Sequence, residues 1–150
     1  MKKCFGFVIL LVLCLLIGGC GSKTAYNLDM DKAIKQLDEK FTNMEIIQDN
    51  ELDAVYGVDV SLSKEYVVKA STLNNGNLYA IFKVDKSNES ELKKQMSNMF
   101  SILEKNSNLY SPETVKLIKN HFEISVGDYL IYIVSSNNDE MYEIIKGNMS

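Results

Sequence analysis

The most specific chemistry in the sequence stands near its start, at Ile17-Gly18-Gly19-Cys20. An aliphatic residue and two small ones leave little bulk for a peptidase to clear. The cysteine thiol that follows can accept a diacylglycerol group. This spacing resembles the bacterial lipobox, with Cys20 as the lipidated residue. The elements needed to present it lie upstream. Met1-Lys2-Lys3 is a positive start, and residues 4–17 are apolar apart from Gly6. That run is shorter than the roughly 20 residues a helix needs to span the hydrocarbon core, so it reads as a removable signal and not as a membrane span. The expected organisation is a lipoprotein signal peptide at 1–19, a lipidated Cys20 and polar tether at 20–27, and a single domain at 28–150. Acyl chains such as palmitate bury many methylenes at ~0.8 kcal/mol each, enough to hold the domain on the outer face of the cell membrane.

Other reactive types are scarce. Of the three cysteines, Cys4 and Cys14 would leave with the signal, so no disulfide or cysteine nucleophile is expected in the mature domain. His121 is the only histidine, and no Gly-x-Ser-x-Gly elbow accompanies it. It reads as a histidine at a helix end. Asp49, Glu51 and Asp53 alternate as in a calcium loop, but Ala54 and Val60 stand where the loop requires Gly and Glu. One histidine without a domain cysteine also leaves a zinc site without its usual ligands. No metal, no cofactor and no catalytic set is expected. Ser22, Ser61, Ser63 and Ser71 are scattered and lack a basic partner.

Composition narrows the partners. The chain has 16 basic residues, all of them Lys, against 20 acidic ones. Removing Lys2 and Lys3 leaves 14 against 20, a net of −6. A nucleic-acid partner needs clustered positive charge and is not expected. The lack of Arg beside abundant Asn, Lys and Ile fits an AT-rich genome, as in low-GC Gram-positive bacteria.

Periodicity supplies the scaffold. Met30, Ile34, Leu37 and Phe41 are spaced for an amphipathic helix, with Asp29 as its cap. Met44, Ile46 and Ile47 are compatible with a short strand, and residues 49–56 with helical turns ended by Gly57. One hairpin joins residues 66–70 to residues 78–84 through Asn74-Asn75-Gly76-Asn77, where Asn-Gly favours a type I′ turn. A second joins residues 122–126 to residues 129–134 through Gly127-Asp128. Residues 129–134 are apolar on both faces and predict a central strand. Asn88 with Glu91, and Asn137 with Glu140, resemble capping boxes that open helices. Met96, Met99 and Met141 then fall on core-facing stripes. Pro112 after Ser111 suits the first position of a further helix. The expectation is an α+β fold: an antiparallel four-stranded sheet from two β-hairpins, each followed by a helix in a ββα duplication, with the helices mainly on one face.

Polar-tipped aromatics are numerous, at Tyr56, Tyr66, Tyr79, Tyr110, Tyr129 and Tyr132. If Phe82 faces the core, then Tyr79, Ile81 and Lys83 form the opposite side of their strand. That side is a possible recognition face, or else the first helix covers it.

Val55-Tyr56-Gly57-Val58-Asp59, Glu65-Tyr66-Val67-Val68 and Tyr79-Ala80-Ile81-Phe82-Lys83 resemble segments of the bacterial lipoprotein family catalogued as domain of unknown function 4358. Tyr110-Ser111-Pro112, Gly127-Asp128-Tyr129 and the strand ending Val134-Ser135 are similar too. The resemblance covers roughly residues 28–146. Asn77-Leu78 stand where the family often has an acidic residue. The resemblance implies a lipid-anchored extracytoplasmic domain and no particular activity. A non-catalytic binding or interaction module is therefore expected, engaging the membrane through Cys20 and an envelope protein or ligand. A transporter-associated small-molecule receptor and an extracytoplasmic hydrolase are the alternatives.

Overall fold

The computed structural model describes residues 26–73, 75–107 and 111–150. The expected signal and lipobox, Cys20 included, lie outside the described residues, as do Asn74 and Tyr110. Helix α1 (Met30–Lys40) opens with Asp29, whose carboxylate accepts from the Lys32 N–H, and it buries Met30, Ala33 and Leu37 along one stripe. A short strand β1 (Met44–Ile46) and helix α2 (Asp49–Tyr56) follow. Gly57 ends α2 with φ of +67°, the left-handed value that favours glycine at a helix end. The long hairpin β2 (Ser63–Ser71) and β3 (Leu78–Val84) leads into α3 (Glu89–Ser107). Helix α4 (Pro112–Lys119) begins with Pro112 behind Ser111, whose hydroxyl accepts from the Thr114 N–H. The second hairpin, β4 (Phe122–Val126) and β5 (Tyr129–Val134), precedes α5 (Asn138–Lys146).

The strands form one antiparallel five-stranded sheet in the order β1-β2-β3-β5-β4. The expected count of four omitted β1, whose three residues pair with residues 69–71 of β2. β5 is interior, as its two apolar faces required, and all six of its residues are buried.

Helices cover both faces of this sheet, not mainly one. Leu78, Ala80, Phe82 and Val84 of β3, with Leu130, Tyr132 and Val134 of β5, pack under α2, α3 and α4 through Leu52, Leu92, Met96, Met99, Phe100 and Ile118. The alternate residues Tyr79, Ile81, Tyr129, Ile131 and Ile133 pack under α1 and α5 through Ala33, Leu37, Met141 and Ile145. Each fully buried aliphatic side chain contributes on the order of 1.5–3 kcal/mol, so neither face could stay open at small cost.

This division also ends the simple duplication. The order strand–strand–helix does recur, yet α3 lies on one face and α5 on the other. A two-fold rotation exchanging two adjacent antiparallel hairpins runs along the sheet normal and keeps both helices on the same face. No rotation therefore relates the two units.

One turn and one helix cap differ from their local signals. Ala70 pairs with Leu78, and the Ser71 N–H donates to the Asn77 carbonyl, so the hairpin connection is longer than a two-residue type I′ turn. Asn75 Oδ1 accepts from the Asn77 N–H, and Gly76 takes φ of +74°. The Asn88 amide, expected to cap α3, instead donates to the Leu62 carbonyl. Asn137 does cap α5, its Oδ1 accepting from the Glu140 N–H.

Candidate functional site

The strand face of Tyr79, Ile81 and Lys83 lies beneath helices. Tyr79 and Ile81 are fully buried beneath α1 and α5, and Lys83 is half-buried with its ammonium 5.4 Å from the Tyr129 ring centre. The helices shield this face from a partner. At its far end Asp38 of α1 accepts from the Tyr79 hydroxyl at 3.1 Å and from Lys69 Nζ at 2.5 Å. Lys69 is 9% exposed, and that carboxylate is its counter-charge. The cluster is a clamp between helix and sheet.

The opposite face carries a polar cleft of about 320 Å³ between α3, the end of α4 and β4–β5. Its location follows from local structure. Ser97, Ser101 and Glu104 are spaced one helical turn apart on α3 and form one wall. Helix α4 stops at Lys119, and the chain turns at Asn120 into β4, which places His121 at the rim. The imidazole stacks on Phe100 with ring centres 4.1 Å apart. Its Nδ1 is 2.7 Å from the Ile118 carbonyl oxygen. A carbonyl only accepts, so Nδ1 carries the hydrogen and Nε2 is left for other contacts.

Tyr132 lines the floor of this cleft. It is 1% exposed, and its hydroxyl is one of two buried polar side-chain atoms without a partner among the described residues. The other is Asn138 Oδ1, whose sister nitrogen donates to the Asn120 carbonyl. Burial, with the Glu123 and Glu89 carboxylates adding to it, pushes the Tyr132 hydroxyl well above the usual tyrosine range. The group is neutral and free to donate or accept. A buried hydroxyl left unmatched costs ~1–3 kcal/mol, which marks it as a place where water or a ligand group completes the structure.

The charges around the cleft are already matched. Lys119 pairs with Glu104 at 3.1 Å, and Lys93 lies 3.0 Å from Glu89 and 3.6 Å from Glu123. A second, wider cleft of about 410 Å³ opens at the end of the sheet, with Ala70, Leu78, Leu103, Ile118 and Val134 as its apolar floor.

Asp49, Glu51 and Asp53 stay apart from both clefts. Asp49 accepts from the Tyr66 hydroxyl at 2.6 Å, and this bond, more than burial, raises Tyr66 to about 12. Among the described residues no three His, Cys, Asp or Glu side chains converge as metal ligands, and no helix is long and apolar enough to cross a membrane. Sequence spacing missed the Phe100–His121–Tyr132 cluster because its members come from α3, the turn before β4, and β5.

Residues 36–135 match the model of the family described as Domain of unknown function (DUF4358). The chain belongs to that family. The match begins within α1 and ends just after β5, so the family segment holds the whole sheet and both clefts but not α5. No curated protein and no solved structure matches the chain.

Proposed function

We propose that this DUF4358 protein is a lipid-anchored extracytoplasmic module that binds a small ligand or an envelope partner without transforming it. The reading of its address rests on the lipobox at Ile17-Gly18-Gly19-Cys20. The reading of its activity rests on one observation: the polar cleft has an unmatched Tyr132 hydroxyl at its floor, but its histidine is not set up for catalysis. His121 spends Nδ1 on a backbone carbonyl, where a hydrolase would place an orienting carboxylate. The nearby Ser101 hydroxyl donates to the Ser97 carbonyl at 2.9 Å, not to the imidazole. Each lysine at the rim is paired with a glutamate, so an anion would find no spare cation there. The cleft suits a small uncharged or amine-bearing polar molecule.

Affinity capture from cell membranes through the mature lipidated protein tests this reading. Enrichment of an envelope component, lost on His121→Ala, is the expected result. No enrichment over a control bearing only the lipidated tether would remove its support. A small-molecule receptor working with a transporter is the second reading, favoured by two preformed clefts of about 410 and 320 Å³. Release of a small molecule on denaturing the purified protein would favour it over a protein partner.

A further inference from the structure

The beginning and end of the described domain are joined at one end of the sheet. Asn27 and Ser150 exchange backbone hydrogen bonds of 3.0 Å, and Leu28 bridges Met149. The Leu28 N–H donates to the Tyr129 hydroxyl at 3.1 Å. Tyr26 lies so close to the β4–β5 turn that a Cβ placed on Gly127 would meet its side chain at 3.2 Å. These contacts fix the first described residues beside Gly127-Asp128. That turn is level with the start of β2 and the end of β3, because Lys83 pairs with Tyr129 and Ser63 with Val84. The loop at 72–77 and the mouth of the wider cleft, beside Ser71 and Asn77, lie at the opposite end.

We infer, on the reading that Cys20 carries lipid, that the end of the sheet bearing the Gly127-Asp128 turn faces the bilayer and the 72–77 loop end faces away. Chain length excludes the inverted orientation, in which the 72–77 loop end would meet the bilayer. Cys20 and Tyr26 are six peptide steps apart. At no more than ~3.6 Å per step, the link spans at most ~22 Å. Strand β2 has nine residues. Its eight steps of ~3.3 Å extend ~26 Å from the anchored end to the start of the loop. Inverting the domain would lift Tyr26 at least that far above the membrane, beyond the reach of the link, before the loop itself is counted. Tyr26 is 42% exposed, and tyrosine is a side chain suited to the headgroup region. The membrane-facing surface therefore comprises Tyr26, the Gly127-Asp128 turn and the exposed residues Asp85 and Lys86.

Single-cysteine labelling of the mature, lipidated protein in phosphatidylcholine vesicles tests the orientation. With Cys4 and Cys14 removed and Cys20 capped, an introduced cysteine is the one free thiol. A fluorophore on Lys86→Cys or Asp128→Cys is expected to be quenched several-fold more by headgroup-quencher lipids than one on Leu73→Cys or Asn75→Cys. Equal or reversed quenching in vesicle-bound protein would overturn the orientation while leaving the anchor intact. Failure of every labelled variant to remain on the vesicles would overturn the anchor, and the orientation with it.

Discussion

Tyr79 and Tyr132 are buried tyrosines on opposite faces of the sheet, and their hydroxyls differ in one respect. Tyr79 donates to Asp38, whereas Tyr132 has no partner among the described residues. Removing a matched buried hydroxyl forfeits ~0.5–1.5 kcal/mol, while removing an unmatched one relieves its desolvation cost. Tyr79→Phe is therefore expected to lower the denaturant midpoint, and Tyr132→Phe to leave it unchanged or raise it. An equal loss in both would show that Tyr132 is already satisfied. Both groups, with Tyr66, also hold their protons beyond the ordinary tyrosine pKa of about 10. The main cause is burial for Tyr79 and Tyr132, and the bond to Asp49 for Tyr66, which reaches about 12. The folded protein then binds more protons than the unfolded chain above pH ~10, so this contribution to stability is complete below ~10 and lost as pH rises through the folded values. Phenolate absorbance of the native protein should lag that of the urea-unfolded chain on alkaline titration. Coincident curves would contradict the burial and pairing of these rings.

At the scale of elements, the contact most sensitive to change is the one between α1 and the sheet. Asp38 of α1 reaches Lys69 of β2 and Tyr79 of β3 together. Asp38→Ala leaves the Lys69 ammonium nearly buried without its counter-charge. Breaking a fully buried pair costs ~3–5 kcal/mol; the Asp38 side chain is 37% exposed, so ~1–3 kcal/mol is expected after allowing for solvent screening. Lys69→Met, which keeps the apolar stem and removes the charge, should cost less. Urea unfolding of the two variants checks the order, and a larger loss for Lys69→Met would contradict it. Local signals located nearly every element, because the periods of 2 and 3.6 and the residues Asp29, Gly57 and Pro112 act within a few positions. They placed Asn88 at the start of α3, but its side-chain amide donates to the Leu62 carbonyl 26 positions away. A hydrogen bond to a distant segment leaves no trace in a capping pattern.

For the molecule as a whole, the proposed anchor at Cys20 lies outside the described residues and outside the family segment 36–135. Both hydrophobic clusters are built from residues between Leu28 and Met149. Cys20→Ala should release the protein from the membrane fraction while leaving the thermal midpoint of the domain unchanged. Retention of the variant in the detergent phase after signal removal would show that another feature holds it there.

By itself, the sequence determined the pairing of the two hairpins, most of the helices, and the family segment containing them. It also placed the lipobox pattern at Ile17-Gly18-Gly19-Cys20, because spacing is a local property. Which face each helix covers was decided only in three dimensions. β3 and β5 are apolar on both sides, so their alternation does not distinguish a recognition face at Tyr79 and Ile81 from a face beneath α1 and α5. The same holds for the cleft. His121 is an isolated residue in the sequence and becomes part of a site only where α3 brings Phe100 against it and β5 brings Tyr132 beneath. Packing between distant segments made that choice, since it depends on the shapes of side chains that no local period brings together.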